Sequence, residues 1–294
     1  MMKIALLPAG SVSDEAARYL FAGQEAHYEH HKLIADVFLA TVNGSTDYSI
    51  IPIENTIEGS VTLHTDWLVH EVDLPIQAEW VYPSIQNLIS RKDELSDDDG
   101  KLDYSRIVRV LSHPVAMAQC LQYLRDHLPH AEQEHVSSTA EAVRIVRDNP
   151  HKGWAAIGTT IAAGNNGLDI LEQGVTDHDN NYTRFLLVGQ RPFTERTSEV
   201  QKTSILVTLP EDFPGALSQV LSAFAWRRIN LSRIESRPTK KKLGTYYFFI
   251  DINMSLDSVL LPAAIEEIEA LGCQVRVLGS YPSFTFAPDT ASVL

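Results

Sequence analysis

Short apolar runs, each closing on a turn that carries a hydroxyl or a proline and then opening a helical segment, recur through the first 190 residues. That alternation restricts the fold more than any other feature of the chain. Residues 4–7, 48–53, 107–111 and 154–157 read as buried strands. Helix starts follow at Ser13 with Asp14 and Glu15, at Pro114 after Ser112-His113, at Ser138-Thr139-Ala140-Glu141, and at Gly158-Thr159-Thr160. Asn166-Gly167 closes the last of these helices. Strand-then-helix repetition predicts an α/β domain with mostly parallel sheets, and such sheets bind ligands beyond the carboxyl ends of their strands. Residues 61–69 are apolar-periodic, 74–90 are extended runs broken by Pro83, and the acidic stretch 92–103 reads as a solvated loop. His27, His30 and His31 lie near Glu29 without the order of a zinc motif, and read as the polar face of a helix.

The pattern changes after a polar linker at 191–202. A strand at 204–209 precedes an amphipathic helix at 214–228, which carries Ala216, Leu217, Val220, Leu221, Phe224 and Ala225 on one face. Strands at 229–234 and 245–252 flank the basic turn Lys240-Lys241-Lys242. A helix at 259–271 and a strand at 273–278 complete the order βαββαβ, a ferredoxin-like arrangement. Basic and acidic residues balance over 203–285, so the net charge of -14 sits almost wholly in the first domain. That charge argues against nucleic acid and against an anionic membrane as partners. Two distant cysteines, no signal peptide and no membrane-length apolar run predict a reduced, cytoplasmic protein.

The chemistry is expected in Asp177-His178-Asp179-Asn180-Asn181-Tyr182-Thr183-Arg184-Phe185, where a polar loop enters the apolar run ending at Val188. A threonine hydroxyl can donate one hydrogen bond and a guanidinium can grip a carboxylate with two. Together they suit an anionic substrate with an oxygen to be polarised; by itself the stretch also reads as a surface Thr-Arg pair in a turn. Ser11, Ser13, Ser112, Thr159 and Thr160 lie in turns near helix starts, and Asn55 and Thr56 in a fourth turn. Helix N-termini suit carboxylates and phosphates. No glycine-rich nucleotide loop or Gly-x-Ser-x-Gly elbow is present, and Asp177, His178 and Asp179, as adjacent residues that rarely point at one ion, read as a polar loop rather than a metal site, so neither a cofactor nor a metal is expected.

Asn181-Tyr182-Thr183-Arg184-Phe185 resembles the Asn-x-Thr-Arg-Phe signature of prephenate dehydratases. Pro52-Ile53-Glu54-Asn55-Thr56-Ile57-Glu58-Gly59 is similar to that family's Pro-x-Glu-Asn-Ser-x-x-Gly motif, with threonine for serine. Gly10-Ser11-Val12-Ser13, Ser112-His113-Pro114 and Ala118-Gln119-Cys120 also match. Gly215-Ala216-Leu217 and the run from Ile229 through Asn230 to Glu235-Ser236-Arg237-Pro238 look like the phenylalanine-binding motifs of the ACT domain that follows the catalytic domain in this family. Leu7-Pro8 stands where Gly-Pro is usual, Val12 replaces an aromatic, and His64 and Trp67 are atypical.

The resemblance implies a two-lobed catalytic domain over 1–190, folded like type II periplasmic binding proteins with its site between the lobes, and an ACT domain over 203–285. It implies prephenate as substrate, phenylalanine as effector, and a homodimer or homotetramer. By it Thr183 donates to the leaving hydroxyl and Arg184 holds a surviving carboxylate. Asn55, Thr56, Ser11, Ser13, Ser112 and Asn181 hold the rest of the substrate, and Phe185 packs behind the pair. Glu58 is left between an acid-base role and the orientation of Asn55. Gly215, Ala216, Leu217, Asn230, Glu235, Ser236, Arg237 and Pro238 are expected to bind phenylalanine. Arogenate as substrate, and a non-enzymatic small-molecule sensor, are the two other readings.

Overall fold

The computed structural model describes residues 1–97, 99–211, 213–240 and 246–287. In chain order its elements are β1 (Met2–Leu6), α1 (Val12–Leu20), β2 (Ala26–His30), α2 (Ile34–Val42), β3 (Tyr48–Asn55), β4 (Gly59–Ser60) and α3 (Thr62–Asp66). Next come β5 (Ile76–Pro83), β6 (Asn87–Ser90), α4 (Lys92–Leu95), β7 (Arg109–Ser112), α5 (Pro114–Ala118), α6 (Leu121–His127), β8 (Glu132–His135) and α7 (Thr139–Asp148). Then follow β9 (Trp154–Gly158), α8 (Thr160–Asn166), β10 (Asp169–Glu172), β11 (Tyr182–Val188), β12 (Gln201–Thr208) and α9 (Ala216–Ala225). The chain finishes with β13 (Leu231–Pro238), β14 (Tyr246–Ile252), α10 (Leu260–Ala270) and β15 (Gln274–Phe284). The described residues divide into two compact units: Met1–Glu71 with Val81–Phe185 and the two residues from Phe286, and Val72–Trp80 with Leu186–Thr285.

The first unit holds two lobes. In one, β1 pairs in parallel with both β2 and β3, and β3 lies between β1 and β11. In the other, β7 pairs in parallel with β8 and β9, and an antiparallel arm of β6 and β10 extends from β9. The expectation of mostly parallel sheets therefore fails at β6 and β10. Apolar side chains on the two faces of the second sheet form separate cores, one around Val110, Met117 and Leu124, the other around Leu111, Val143 and Ala162.

The helix starts follow the sequence closely. The hydroxyls of Ser138 and Thr159 accept the backbone N–H groups of Glu141 and Ala162, and Pro114 is the first residue of α5. Gly167 ends α8 in the left-handed region, at φ 63°. Two readings change. Ser11, not Ser13, caps α1, because Ser13 already lies inside the helix. The His27-to-His31 segment is not a helix face: Ala26–His30 is the strand β2, which β1 recruits in register despite its polar composition. The acidic stretch 92–103 also contains the short helix α4, anchored by the buried Leu95.

In the second unit, β12 lies between β14 and β15, and β13 pairs only with β14 among the described residues. All these pairings are antiparallel. Helices α9 and α10 cover one face through Val220, Phe224, Leu261 and Ile268 packed on Ile205, Val207 and Ile250. This is the expected βαββαβ order. Strand β12 starts at Gln201, and β15 runs on to pair Ser283 with Glu79 in parallel. Of the basic turn, Lys241 and Lys242 lie outside the described residues, as does Thr245.

Candidate active site

Strand β11 brings the expected site together. Its first residues emerge beside the end of β3, where Thr56 N–H donates to the Tyr182 carbonyl and Tyr182 N–H donates to the Thr56 hydroxyl. This clasp sets Asn55 against Asn181 and Thr183. The side-chain oxygen of Asn55 accepts from the backbone N–H groups of Ile57 and Glu58 at 2.9 and 3.0 Å. That fixes which way the amide faces. Its nitrogen must then donate to Asn181 Oδ1 at 2.9 Å and to Thr183 Oγ1 at 3.0 Å. Asn181 passes the order on, donating to Gln119 Oε1 at 2.9 Å and to the Ser84 carbonyl.

Thr183 Oγ1 is also 2.7 Å from Ser84 Oγ. Both residues are buried and both line a cavity of about 670 Å³ lying between the two lobes of the first unit. With one lone pair of Thr183 taken by Asn55, the hydroxyl proton has two outlets, Ser84 or the cavity. When Ser84 donates to Thr183, the threonine proton is left to the cavity alone.

The cavity wall draws on distant segments. Ser11 and Ser13 come from the start of α1, Asn55, Glu58 and Ser60 from the β3–β4 turn, and Ser138 and Thr139 from the start of α7. Gly10 has φ 78°, and a Cβ there would stand 3.1 Å from the Ala162 side chain, so the α1 turn sits tightly against α8. His113 caps α5 by accepting from Val115 N–H through Nδ1, which leaves Nε2 as the donor. Burial, and then the neighbouring His135, push its pKa down, so it stays neutral. Among the described residues Lys32 is the one lysine or arginine on the wall.

Behind α1, burial alone would raise the Asp14 carboxyl, but hydrogen bonds from His30 and Gly10 and the charge of Arg18 bring it below the usual range. Burial pushes Glu15 up to about 7, although the N–H groups of Ile161 and Thr160 pull the other way.

Several expected residues stand elsewhere. Arg184 is absent from the wall that Thr183 and Phe185 line, because successive strand residues point to opposite faces. Its guanidinium instead stands 3.5 Å from the Glu54 carboxylate. Ser112 is fully buried at the end of β7, donating to the Ile157 carbonyl, and does not reach the cavity. Thr56 and Asn181 tie β11 to β3 and are not on the wall. Thr159 is likewise spent, on the Gly10 carbonyl. Glu58 orients Asn55 through its backbone N–H, while its exposed side chain borders the cavity. Phe185 is itself on the wall. Sequence reasoning missed Lys32, Ser84, Gln86 and Gln119; only Gln119 lay in a motif already noticed.

In the second unit, the expected effector residues do not gather within one chain. Gly215 starts α9 at φ 95°, with Ala216 and Leu217 following. Asn230 precedes β13 and Pro238 ends it. Eight residues of extended chain separate those two by roughly 26 Å, too far for one amino acid to touch both. Glu235 lies between Arg233, with which it makes an ion pair, and Arg237, 3.8 Å away.

The family model described as prephenate dehydratase matches residues 4–193, and the one described as ACT domain matches residues 203–273. A prephenate dehydratase of Bacillus subtilis is 38% identical over 293 residues, covering 96% of this chain and 99% of the relative. The crystal structure of prephenate dehydratase from Arthrobacter aurescens in complex with L-Phe superposes with a TM-score of 0.83 at 32% identity, over 95% of this chain and 89% of that one. A protein described as a novel type of quorum quenching acylase, GqqA, gives 0.82 at 26% identity, over 98% and 99%.

Proposed function

This chain belongs to the prephenate dehydratase family and carries an ACT domain, and on that premise we propose that it converts prephenate to phenylpyruvate, carbon dioxide and water under feedback control by phenylalanine. Residues 1–190 carry the catalysis and 203–285 the control. The observation that carries the reading is a threonine hydroxyl in a cavity wall, 3.0 Å from an amide donor whose direction is fixed and 2.7 Å from a serine.

In the reaction the bond from ring to carboxylate breaks and its electron pair moves through the ring. The carbon–oxygen bond opposite then breaks, and the leaving hydroxide takes a proton to become water. Hydroxide leaves poorly, so the protein must donate to it. Threonine alone is too weak an acid at neutral pH. Here Asn55 donates to Thr183 Oγ1, and in the arrangement where Ser84 donates to it too, both stabilise the negative charge that grows on it as its proton moves toward the leaving oxygen. Such donors, preset before the reaction, lower the barrier without reorganising.

The substrate's two carboxylates need a different partner from the one expected. Arg184 faces away, so its role passes to Lys32, helped by Ser11 and Ser138 at the N-terminal ends of α1 and α7. His113 adds a neutral donor. Arg184 holds Glu54 and thereby the end of β3.

For control, an antiparallel two-fold pairing of two β13 edges would bring Asn230 of one chain beside the Pro238 end of the other. Phenylalanine would then bind at a seam between two ACT domains, in a homodimer or a tetramer built from it. Free, buried Cys120 and Cys273 fit a reduced, cytoplasmic setting.

The deciding experiment incubates the intact protein with prephenate and with arogenate. Phenylpyruvate from prephenate is expected, with turnover falling as phenylalanine is added. Coupling of about 1–3 kcal/mol is expected, and prephenate should weaken phenylalanine binding by the same factor. No aromatic product from either substrate would leave the sensor reading.

A further inference from the structure

One group on the cavity wall is unspent. Gln86 is only 3% exposed and lines the cavity, yet its side-chain oxygen is buried with no hydrogen-bond partner among the described residues. An unpaired buried acceptor is costly, and native proteins keep few of them. Its neighbours on the same wall show the contrast. Ser84, Asn55 and Thr183 close their hydrogen bonds on one another or on the backbone.

Position narrows what Gln86 could meet. It follows Ser84 by two residues, and two residues of chain span at most about 7 Å. Ser84 is the residue that touches Thr183. Ile85 between them is not on the wall, so Ser84 and Gln86 reach the cavity together. The carboxamide therefore lies at the Thr183 end, where the substrate's ring hydroxyl is placed. A hydroxyl both accepts and donates. Thr183 supplies the donor to its oxygen; its hydrogen still needs an acceptor. Nearly every other polar group of prephenate is an acceptor, which an amide oxygen cannot serve.

Resting on the reading of the site as that of a prephenate dehydratase, we infer that Gln86 is a substrate-binding residue whose side-chain oxygen accepts the hydrogen of the departing ring hydroxyl. No hydrogen bond from the described residues restrains that oxygen, and the terminal torsion of glutamine is soft, so it turns to the substrate at little cost. Together Gln86 and Thr183 fix the hydroxyl from both sides, which orients the breaking bond. The instability of the empty site is the counterpart of that binding.

Gln86→Met keeps the length and removes the polar group. On prephenate, kcat/KM should fall by roughly 10- to 50-fold, mostly through KM, while the melting temperature stays level or rises. Phenylpyruvate lacks the ring hydroxyl, so its inhibition constant should be the same for the variant and the wild type. A kcat/KM within twofold of wild type overturns the inference, as does a lowered melting temperature, which would mean that the amide was bonded within the protein. Equal loss of prephenate and phenylpyruvate binding overturns the assignment to the hydroxyl. Inactivity of the wild-type protein on prephenate would instead defeat the functional reading itself.

Discussion

Two hydroxyl networks, one in each unit, use similar pieces to opposite ends. In the second unit Ser204 Oγ lies between the fully buried Asp251 carboxylate and Tyr281 OH, 2.6 Å away. A carboxylate only accepts, so Ser204 must donate to Asp251 and take its own hydrogen bond from Tyr281. Every proton runs toward the charge and stops there. In the first unit no carboxylate among the described residues drains the chain. Asn55 donates to Thr183, and when Ser84 donates to it as well the last proton faces a cavity. A charged sink makes a buried network structural; a neutral network that ends in a cavity keeps a donor available for chemistry.

The largest effect that could break this comparison is in catalysis. Thr183→Ala should cut turnover on prephenate by about 10²–10³, the scale for one transition-state donor, with little change in denaturation midpoint. Thr183→Ser should keep much more. Near-normal turnover in the folded alanine variant would remove Thr183 from the chemistry.

Glu15 tests whether a buried charge without a cation beside it behaves as the comparison says. Its native pKa of about 7 exceeds the ordinary 4.5. Between those values the native state holds a proton that the unfolded chain has lost, so stability falls as pH rises through that window. Glu15→Gln should therefore be more stable than wild type at pH 8 by up to about 3 kcal/mol, with no gain near pH 4.5. Urea denaturation at both values decides it, and an equal gain at both would refute the burial argument.

Ser204→Ala is the structural counterpart of Thr183→Ala. It strands a buried carboxylate and a tyrosine hydroxyl, and should cost about 2 kcal/mol of stability. Turnover per folded molecule, without phenylalanine, should hold. The comparison collapses if stability is unchanged and turnover drops.

A smaller effect separates the two cations. Lys32→Gln should raise KM for prephenate about tenfold, roughly the value of one charge-assisted hydrogen bond, and Lys32→Arg should restore most of it. Arg184→Lys should change KM by less than about threefold, because Arg184 is off the cavity wall and its guanidinium is turned to Glu54. The reverse ranking would return the carboxylate to Arg184.

Much of the fold was legible because its signals are local. Capping by Ser138 and Thr159 and the left-handed stop at Gly167 depend on a few adjacent residues, and so does the apolar stripe of α9. Strand β2 was not legible, since Ala26–His30 has no strand composition and becomes one only when β1 offers its edge. The site was half legible: its motifs named Asn55, Thr183 and the α1 turn, yet they also named Ser112, which the packing of β7 against β9 turns inward.

The sequence by itself determined the order of elements, the helix termini and the loop-to-strand position of Thr183, for these follow from propensity and periodicity over a few residues. Only the tertiary structure decided which of two neighbours, Thr183 or Arg184, faces the cavity. Alternation makes them opposite, but the clasp between β11 and the end of β3 chooses the face. It also decided that Lys32, from one unmarked segment, and Ser84 and Gln86, from another far along the chain, share one wall. No local rule couples residues that far apart in the chain; their meeting is fixed by how two sheets pack.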